Sequence, residues 1–165
     1  MMNHISTRRL VAVDLENLAA TGLVDVDWAI DFAYLLSTTL DLNEYDLTYV
    51  AGGTQNWEAV TRVAEILHGQ PRIRKGADGA DLTLLDALEQ MPVTAIESER
   101  TPITEVVIMS GDGIFTQVVR EYVTRGLDVV VVSRKGQLSR ALESAASRVF
   151  LMDGLVRAYE YALTA

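Results

Sequence analysis

Two short apolar stretches of this sequence each end in an aspartate. Leu10–Val13 is followed by Asp14 and, three residues later, by Asn17, while Val106–Met109 leads through a Ser-Gly pair to Asp112. Short apolar runs rich in β-branched residues predict strands that are buried on both faces. Open α/β sheets bind their ligands in the crevice beyond the carboxyl ends of the strands. We therefore expect two carboxylates and an amide to meet at one edge of a sheet.

A third carboxylate, that of Asp81, is expected to reach the same edge from a helix. The helix is predicted over residues 80–90, and its apolar stripe of Leu84, Leu85 and Leu88 must face the sheet. Asp81 lies at the top of that stripe, so its side chain points inward at the helix N-terminus. A helix that packs antiparallel to parallel strands has its N-terminus at their carboxyl edge.

Three carboxylates gathered in one place are suited to binding a hard divalent cation. Without a counter-charge, at least one of them would be forced to hold a proton at neutral pH. Mg²⁺ or Mn²⁺ prefers oxygen ligands, and such a cation can activate a bound water and stabilise charge on a phosphodiester. In this interpretation Asp14, Asp81 and Asp112 are metal ligands, and the Asn17 amide orients the water or a phosphate oxygen.

Each of these residues also has a purely structural interpretation. Asp is favoured at helix N-caps and in turns, so Asp14 or Asp112 alone could be either. Asn17 alone could be a turn residue, and Asp81 alone could be an N-cap. The joint site is favoured because a set of caps has no reason to face inward together.

Three neighbouring residues are candidates for supporting positions. Ser110 either hydrogen-bonds a neighbouring carboxylate or closes the turn after its strand. Asp78, three residues before Asp81, is a second candidate for the helix cap. Asp86 follows Asp81 by five residues, which places it about 140° round the helix, so we expect its side chain to be solvated.

Strands alternate with helices along the whole chain. This pattern predicts an α/β fold, a doubly wound and mainly parallel sheet with helices on both faces. A polar connection is expected over residues 92–102. The predicted strands cover residues 10–13, 47–51, 72–74, 106–109, 127–132 and 148–152, and the predicted helices cover 27–40, 57–67, 80–90, 115–125, 136–146 and 155–163.

The composition limits the classes of protein and of site. With 165 residues and 49% hydrophobic content, the chain suits a single domain over residues 1–165. The absence of cysteine excludes disulfides and thiolate metal sites. The apolar run behind Arg8 and Arg9 is too short for a signal peptide or a membrane span. We therefore expect a soluble cytoplasmic protein with no membrane partner.

The formal net charge of -9 argues against tight nonspecific binding to nucleic acid through overall charge. Two local basic clusters are candidates for contacts with a nucleic-acid backbone. One contains Arg72, Arg74 and Lys75, and the other contains Arg134 and Lys135. The alternative is that both clusters are scattered charge on a solvated edge.

Four motifs resemble, in order and spacing, those of the NYN domain family in the PIN-like nuclease group. Asp14–Asn17 resembles the D-x-x-N opening, Lys75–Leu82 the middle motif, and Ser110–Phe115 the S-G-D-x-D-F signature. Ser139–Leu151 is similar to the family's ending. The resemblance implies a PIN-like α/β sheet and an Mg²⁺- or Mn²⁺-dependent ribonuclease acting on RNA. It also implies which residues are catalytic, namely Asp14, Asn17, Asp81 and Asp112.

One position departs from the family pattern, because Ile114 stands where many relatives have a second aspartate. An apolar side chain cannot ligate a metal. The leading hypothesis is a metal-dependent endoribonuclease in which Arg74, Lys75 or Arg134 contacts the RNA backbone. The alternative is an inactive RNA- or protein-binding adaptor on the same fold. The sequence leaves a homo-oligomer open, since it shows no apolar stripe beyond what the sheet requires.

Overall fold

A single parallel sheet forms the centre of the molecule. The computed structural model describes residues 8–90 and 102–154, together with 157, 161 and 164. The strands are β1 (Arg8–Asp14), β2 (Leu47–Gly53), β3 (Gln70–Arg74), β4 (Ile103–Met109), β5 (Asp128–Ser133) and β6 (Arg148–Leu151). They pair in the order β3-β2-β1-β4-β5-β6, and every pairing is parallel.

Helices cover both faces of this sheet. They are α1 (Leu15–Ala19), α2 (Val26–Thr39), α3 (Trp57–Ile66), α4 (Gly79–Glu89), α5 (Thr116–Thr124) and α6 (Arg140–Ala145), with 3₁₀ turns at Thr54–Asn56, Gly113–Phe115 and Lys135–Gln137. Helices α1, α2 and α3 pack in one apolar core, and α4, α5 and α6 pack in a second. The α/β doubly wound fold predicted from the sequence is therefore confirmed.

The central strand β1 contributes side chains to both cores. Val11 and Val13 are buried in the core that contains α1, α2 and α3, while Leu10 and Ala12 are buried in the other. Successive side chains of a strand point to opposite faces, so a strand covered on both sides must be apolar at every position. This explains why β1 appears in the sequence as a continuous apolar run.

The chain order of the sheet reverses at β1, which places β1 beside β4. Val13 lies opposite Met109, so the residues that follow the two strands emerge together at the carboxyl edge. The first strand and the strand before Asp112 are therefore neighbours at the centre of the sheet. A reversal of strand order is where open α/β sheets leave a crevice for a ligand.

Two sequence predictions fall mostly outside the described residues. The polar connection predicted over 92–102 has only residue 102 within them, and of the closing helix predicted over 155–163 only residues 157 and 161 are described, both helical. Across residues 8–90 and 102–154, no helix has the length and apolar character needed to cross a membrane.

Candidate active site

Asp14 lies at the carboxyl end of β1 and is only 2% exposed. One carboxylate oxygen, Oδ1, accepts a hydrogen bond of 3.2 Å from the backbone N–H of Asn17, which makes Asp14 the N-cap of α1. The other, Oδ2, accepts a bond of 2.9 Å from the Ser110 hydroxyl at the end of β4. The strand, the short helix and the neighbouring strand therefore all fix this carboxylate.

Asp112 is held by the same loop that contains Ser110. Its backbone N–H donates to the Ser110 hydroxyl oxygen at 3.2 Å, and its Oδ1 accepts from the Ile114 N–H at 2.9 Å. This second bond caps the 3₁₀ turn that follows β4. Both Asp14 and Asp112 are therefore caps as well as members of an acidic cluster, so the two interpretations of the sequence are compatible.

Asn17 joins the loop after β1 to the loop after β4. Its amide oxygen accepts a hydrogen bond of 2.9 Å from the backbone N–H of Gly111. A Cβ at Gly111 would overlap the Gln137 carbonyl, so only glycine allows the loop after β4 to lie this close to the 3₁₀ turn after β5. Because the amide oxygen is engaged in this way, any contact of Asn17 with a water or phosphate would use its NH₂ group.

Asp81 is the residue that brings the three carboxylates together. It lies in the first turn of α4, and its carboxyl group is close enough to those of Asp14 and Asp112 for both to raise its pKa. Burial, followed by the hydrogen bond and charge of Asp14 and then those of Asp112, raises the pKa of Asp81 to about 8. Burial also raises the pKa of Asp14, opposed by its hydrogen bonds with Asp81, Asn17 and Ser110. At neutral pH the Asp81 carboxyl group therefore holds a proton between two acidic neighbours.

The donor set fits a hard divalent cation in its chemistry, since it consists of carboxylate oxygens. Among residues 8–90 and 102–154, however, no three His, Cys, Asp or Glu side chains are arranged around a common point as metal ligands. Because the pKa of Asp81 is raised to about 8, its carboxyl group holds a proton at neutral pH, which removes one of the three negative charges.

We expect the metal-free protein to lose stability as the pH rises from about 4 to about 8. The pKa of Asp81 is 3.8 in the reference state and about 8 in the folded protein, so the folded state binds more protons in this interval. The contribution of Asp81 is fully present below the lower value and is lost as the pH rises through the upper one. Urea denaturation in EDTA at several pH values measures this slope.

The Asp81→Asn variant is the control for this pH dependence. Its side chain does not titrate, so its free energy of unfolding should fall less with pH than that of the unmodified chain. An equal slope in both proteins would show that the three carboxyl groups do not interact in solution.

The basic residues predicted to contact RNA lie on both sides of the acidic cluster. Arg74 ends β3 and forms an ion pair of 3.0 Å with Asp86, whose side chain is 55% exposed, as expected from its place on the helix. Lys75 follows in the exposed β3–α4 loop. Arg134 follows β5, is half-buried, and donates from Nε to the Leu18 carbonyl oxygen at 2.6 Å.

Two other positions that the sequence singled out, Asp78 and Ile114, lie near the acidic cluster in the chain. Asp78 occupies the N-cap position of α4 and is exposed, but its side chain makes no capping hydrogen bond. Ile114 is half-buried and packs against the apolar core that contains α4 and α5. The side chain at 114 therefore contributes to packing rather than to the acidic cluster.

Glu16 is a residue of this edge whose position the sequence did not predict. Its Oε1 accepts hydrogen bonds from the Gly53 backbone at 2.7 Å, from Asn56 Nδ2 at 2.7 Å and from Gln55 Nε2 at 3.3 Å. These bonds attach α1, which begins beside Asp14, to the end of β2. The only signal in the sequence is an acid between Asp14 and Asn17, since its partners lie far along the chain.

Comparisons with known proteins agree with this architecture. Residues 8–153 match the model of the NYN domain family, which is nearly the whole chain. A crystal structure described as a protein of unknown function from Vibrio parahaemolyticus matches with a TM-score of 0.62 and 18% sequence identity, over 93% of this chain and 97% of that one. At that identity the likeness shows the fold alone. No curated protein gives a significant match. The chain belongs to the NYN domain family.

Proposed function

We propose that this protein is a divalent-metal-dependent endoribonuclease that hydrolyses phosphodiester bonds of RNA. The observation that carries the proposal is the convergence of Asp14, Asp81 and Asp112, from β1, α4 and the loop after β4, on one edge of the sheet. Membership of the NYN domain family, which has a PIN-like nuclease fold, supports the same activity. Grouping acidic side chains in a partly buried place is costly unless a cation compensates their charge.

Each residue of the site has a defined part in this proposal. Asp14, Asp81 and Asp112 would hold Mg²⁺ or Mn²⁺, which when bound supplies an activated water and stabilises charge on the phosphodiester. The Ser110 hydroxyl fixes the Asp14 carboxylate by its bond of 2.9 Å. Asn17 keeps the loop that contains Asp112 in place through the Gly111 N–H.

RNA must be held by local contacts, because the net charge of -9 repels its backbone. Lys75 and Arg134 are the cations proposed to contact phosphates, since they follow β3 and β5 at the same edge as the carboxylates. Arg74 is a third candidate, although its ion pair with Asp86 must open or be shared for it to bind a phosphate. Such contacts place the strand across the acidic cluster.

We expect added Mg²⁺ or Mn²⁺ to have two effects. The cation should activate RNA cleavage, and it should raise the melting temperature of the protein. A cation that binds only the folded state stabilises it by mass action, about 2.7 kcal/mol at one hundred times its dissociation constant. Cleavage of a labelled RNA and thermal melting, each measured with added cation and with EDTA, test the two effects separately.

The Asp112→Asn variant tests whether cleavage and cation binding both depend on the Asp112 carboxylate. Its amide oxygen can still accept the bond from the Ile114 N–H, but one of the three charges is removed. We expect both the cleavage and the cation-induced rise in melting temperature to fall sharply. Cleavage that persists in EDTA would exclude the mechanism.

A second candidate function is an RNA- or protein-binding adaptor without catalytic activity. Ile114 favours it, because an apolar side chain packed on the core stands where many relatives have a further acid. The adaptor would bind RNA without turnover, and Asp112→Asn would leave its affinity nearly unchanged. Metal-dependent turnover excludes this candidate.

A further inference from the structure

An open cavity of about 420 Å³ lies between the α1–α2 loop and the beginning of α3. Its apolar lining includes two side chains that are unusually exposed, Leu23 at 72% and Trp57 at 60%. Its polar lining includes Gln55, Asp25 and Glu58. Exposed aromatic surface of this kind, next to polar groups, is typical of a binding site rather than of a solvated helix start.

The cavity is joined by hydrogen bonds of Asn56 to α1, the helix that begins beside Asp14. Asn56, which is 3% exposed, lines the cavity and donates from Nδ2 to the Oε1 of Glu16 at 2.7 Å. Its Oδ1 accepts from the backbone N–H of Val24 at 2.9 Å, so it holds the opposite wall as well. Glu16 lies in α1, the helix capped by Asp14. The cavity and the carboxylates therefore belong to one connected edge of the sheet.

We infer that this cavity binds an unpaired nucleobase of the RNA, stacked on Trp57. The inference rests on the proposed function, since it assigns the substrate class of that site. Aromatic side chains are the usual stacking surface for unpaired bases. Bases within an A-form duplex cannot stack in this way, because they remain paired inside the helix.

The charges of the cavity indicate which part of the nucleotide enters it. Asp25 and Glu58 line it, and a phosphate would be repelled by both carboxylates. The Asp25 Oδ1 accepts a bond from the Trp28 N–H at 2.9 Å, while no side-chain hydrogen bond or ion pair engages Glu58 among the described residues. A carboxylate accepts hydrogen bonds from exocyclic amino groups such as that of cytosine. Uracil has no such group, so cytosine should be preferred to uracil.

A cationic peptide is the other ligand that acidic and aromatic groups could attract. The observations favour a base for two reasons. The cavity lies at the same edge as the carboxylates, and Asn56 joins its walls directly to α1. Binding of a cationic peptide in place of RNA is therefore one outcome of the test.

The experiment measures binding in the Asp14→Asn background, so that cleavage does not consume the RNA. Labelled oligocytidylate, oligouridylate and a hairpin duplex are the probes, with Trp57→Ala and Trp57→Phe as test variants. We expect Trp57→Ala to weaken oligocytidylate binding roughly 10-fold and Trp57→Phe to retain most of the affinity. The matched control is Tyr45→Ala, which removes an aromatic side chain that is 67% exposed in the loop before β2, at the opposite edge of the sheet. It should bind like the parent.

Two further variants test the preference for bases with an amino group. Asp25→Asn keeps an N-cap, because asparagine caps a helix as well as aspartate does. Together with Glu58→Gln it removes the acceptor charge from the cavity. In the protein that carries both substitutions, we expect the preference for oligocytidylate over oligouridylate to disappear. The contribution of Trp57 stacking to the binding affinity should remain.

The outcomes separate this inference from the proposed function. If the unmodified protein cleaves RNA with metal, but Trp57→Ala has the same KM and the same affinity, the base site is disproved and the nuclease stands. If no cleavage occurs but Trp57 is required for binding to oligocytidylate, the nuclease fails and the base site stands. Tryptophan fluorescence that responds to an arginine-rich peptide and not to RNA, with the response lost in Trp57→Ala, would overturn the base site.

Discussion

Replacing Asp14 with asparagine is expected to reduce RNA cleavage by about 10³-fold while the protein remains folded. Asp14 is the most buried of the three carboxylates and would be a direct metal ligand. Loss of one charged ligand weakens both cation binding and the activation of the attacking water, and about 4 kcal/mol of transition-state stabilisation corresponds to this factor. The measurement is kcat/KM on a single-stranded RNA at saturating Mg²⁺ or Mn²⁺.

The Asp14→Asn variant should remain as stable as the unmodified protein although it loses its cleavage activity. Asparagine is as good an N-cap as aspartate, so the bond from the Asn17 N–H can be kept. In the unmodified protein the Ser110 hydroxyl donates to the Asp14 carboxylate. In the variant the direction can reverse, because the NH₂ group of the new asparagine can donate to the Ser110 hydroxyl oxygen. A neutral side chain also avoids the cost of burying a charge beside Asp81. The melting temperature in EDTA is therefore expected to stay the same or to rise.

The matched control is Asp86→Asn, a change of the same chemistry on the helix that contains Asp81. The Asp86 side chain is 55% exposed and pairs with Arg74 on the surface. Exposed ion pairs contribute at most about 1 kcal/mol to stability, so little change in melting temperature is expected. Equal activity losses in Asp86→Asn and Asp14→Asn would show that the protein responds to overall charge rather than to a metal site.

The strands and their shared edge could be predicted because they depend on local pattern and on topology rules. Leu10–Val13 and Val106–Met109 are apolar at every position, which in a sheet covered on both faces is the expected signature. Alternation with helices then requires parallel strands, and parallel strands end at one edge. The position of Asp81 follows from helical periodicity alone.

The contacts that shape the site could not be predicted in the same way. The Asn17 amide and the Gly111 N–H are 94 residues apart, and the Glu16 and Asn56 side chains are 40 residues apart. Neither residue of such a pair carries a local signal of its partner. The five-residue helix α1 is also too short for its periodicity to show in the sequence.

The region around Arg134 shows a competition between local and tertiary structure. The sequence predicted a helix over residues 136–146, but residues 135–137 form a 3₁₀ turn and the helix begins at Arg140. The Ser139 N–H donates to the Gly111 carbonyl oxygen at 2.8 Å. This contact with the loop after β4 draws the chain away from a helical path. The approach of the two loops is therefore a structural requirement of the site.

That requirement makes Gly111→Ala the most disruptive small substitution expected at this edge. The added methyl group would overlap the Gln137 carbonyl, and backbone cannot move aside as a flexible side chain can. Overpacking of this kind costs about 3 kcal/mol. For a chain of this size the melting temperature should fall by roughly 6–12 °C. Differential scanning calorimetry in EDTA measures the effect on the fold without any contribution from bound metal.

Gly136→Ala provides the comparison, because the same methyl group there meets nothing within 4 Å. Gly136 lies in the 3₁₀ turn after β5, directly before Gln137, the residue that lies against Gly111. Both substitutions therefore affect the loops after β4 and β5. We expect Gly136→Ala to leave the melting temperature almost unchanged. If Gly111→Ala were equally harmless, the loop after β4 would not lie against the 3₁₀ turn after β5 at Gly111 and Gln137. If only Gly111→Ala lowers both stability and cleavage, the distance between these loops is what keeps Asp112 beside Asp14 and Asp81.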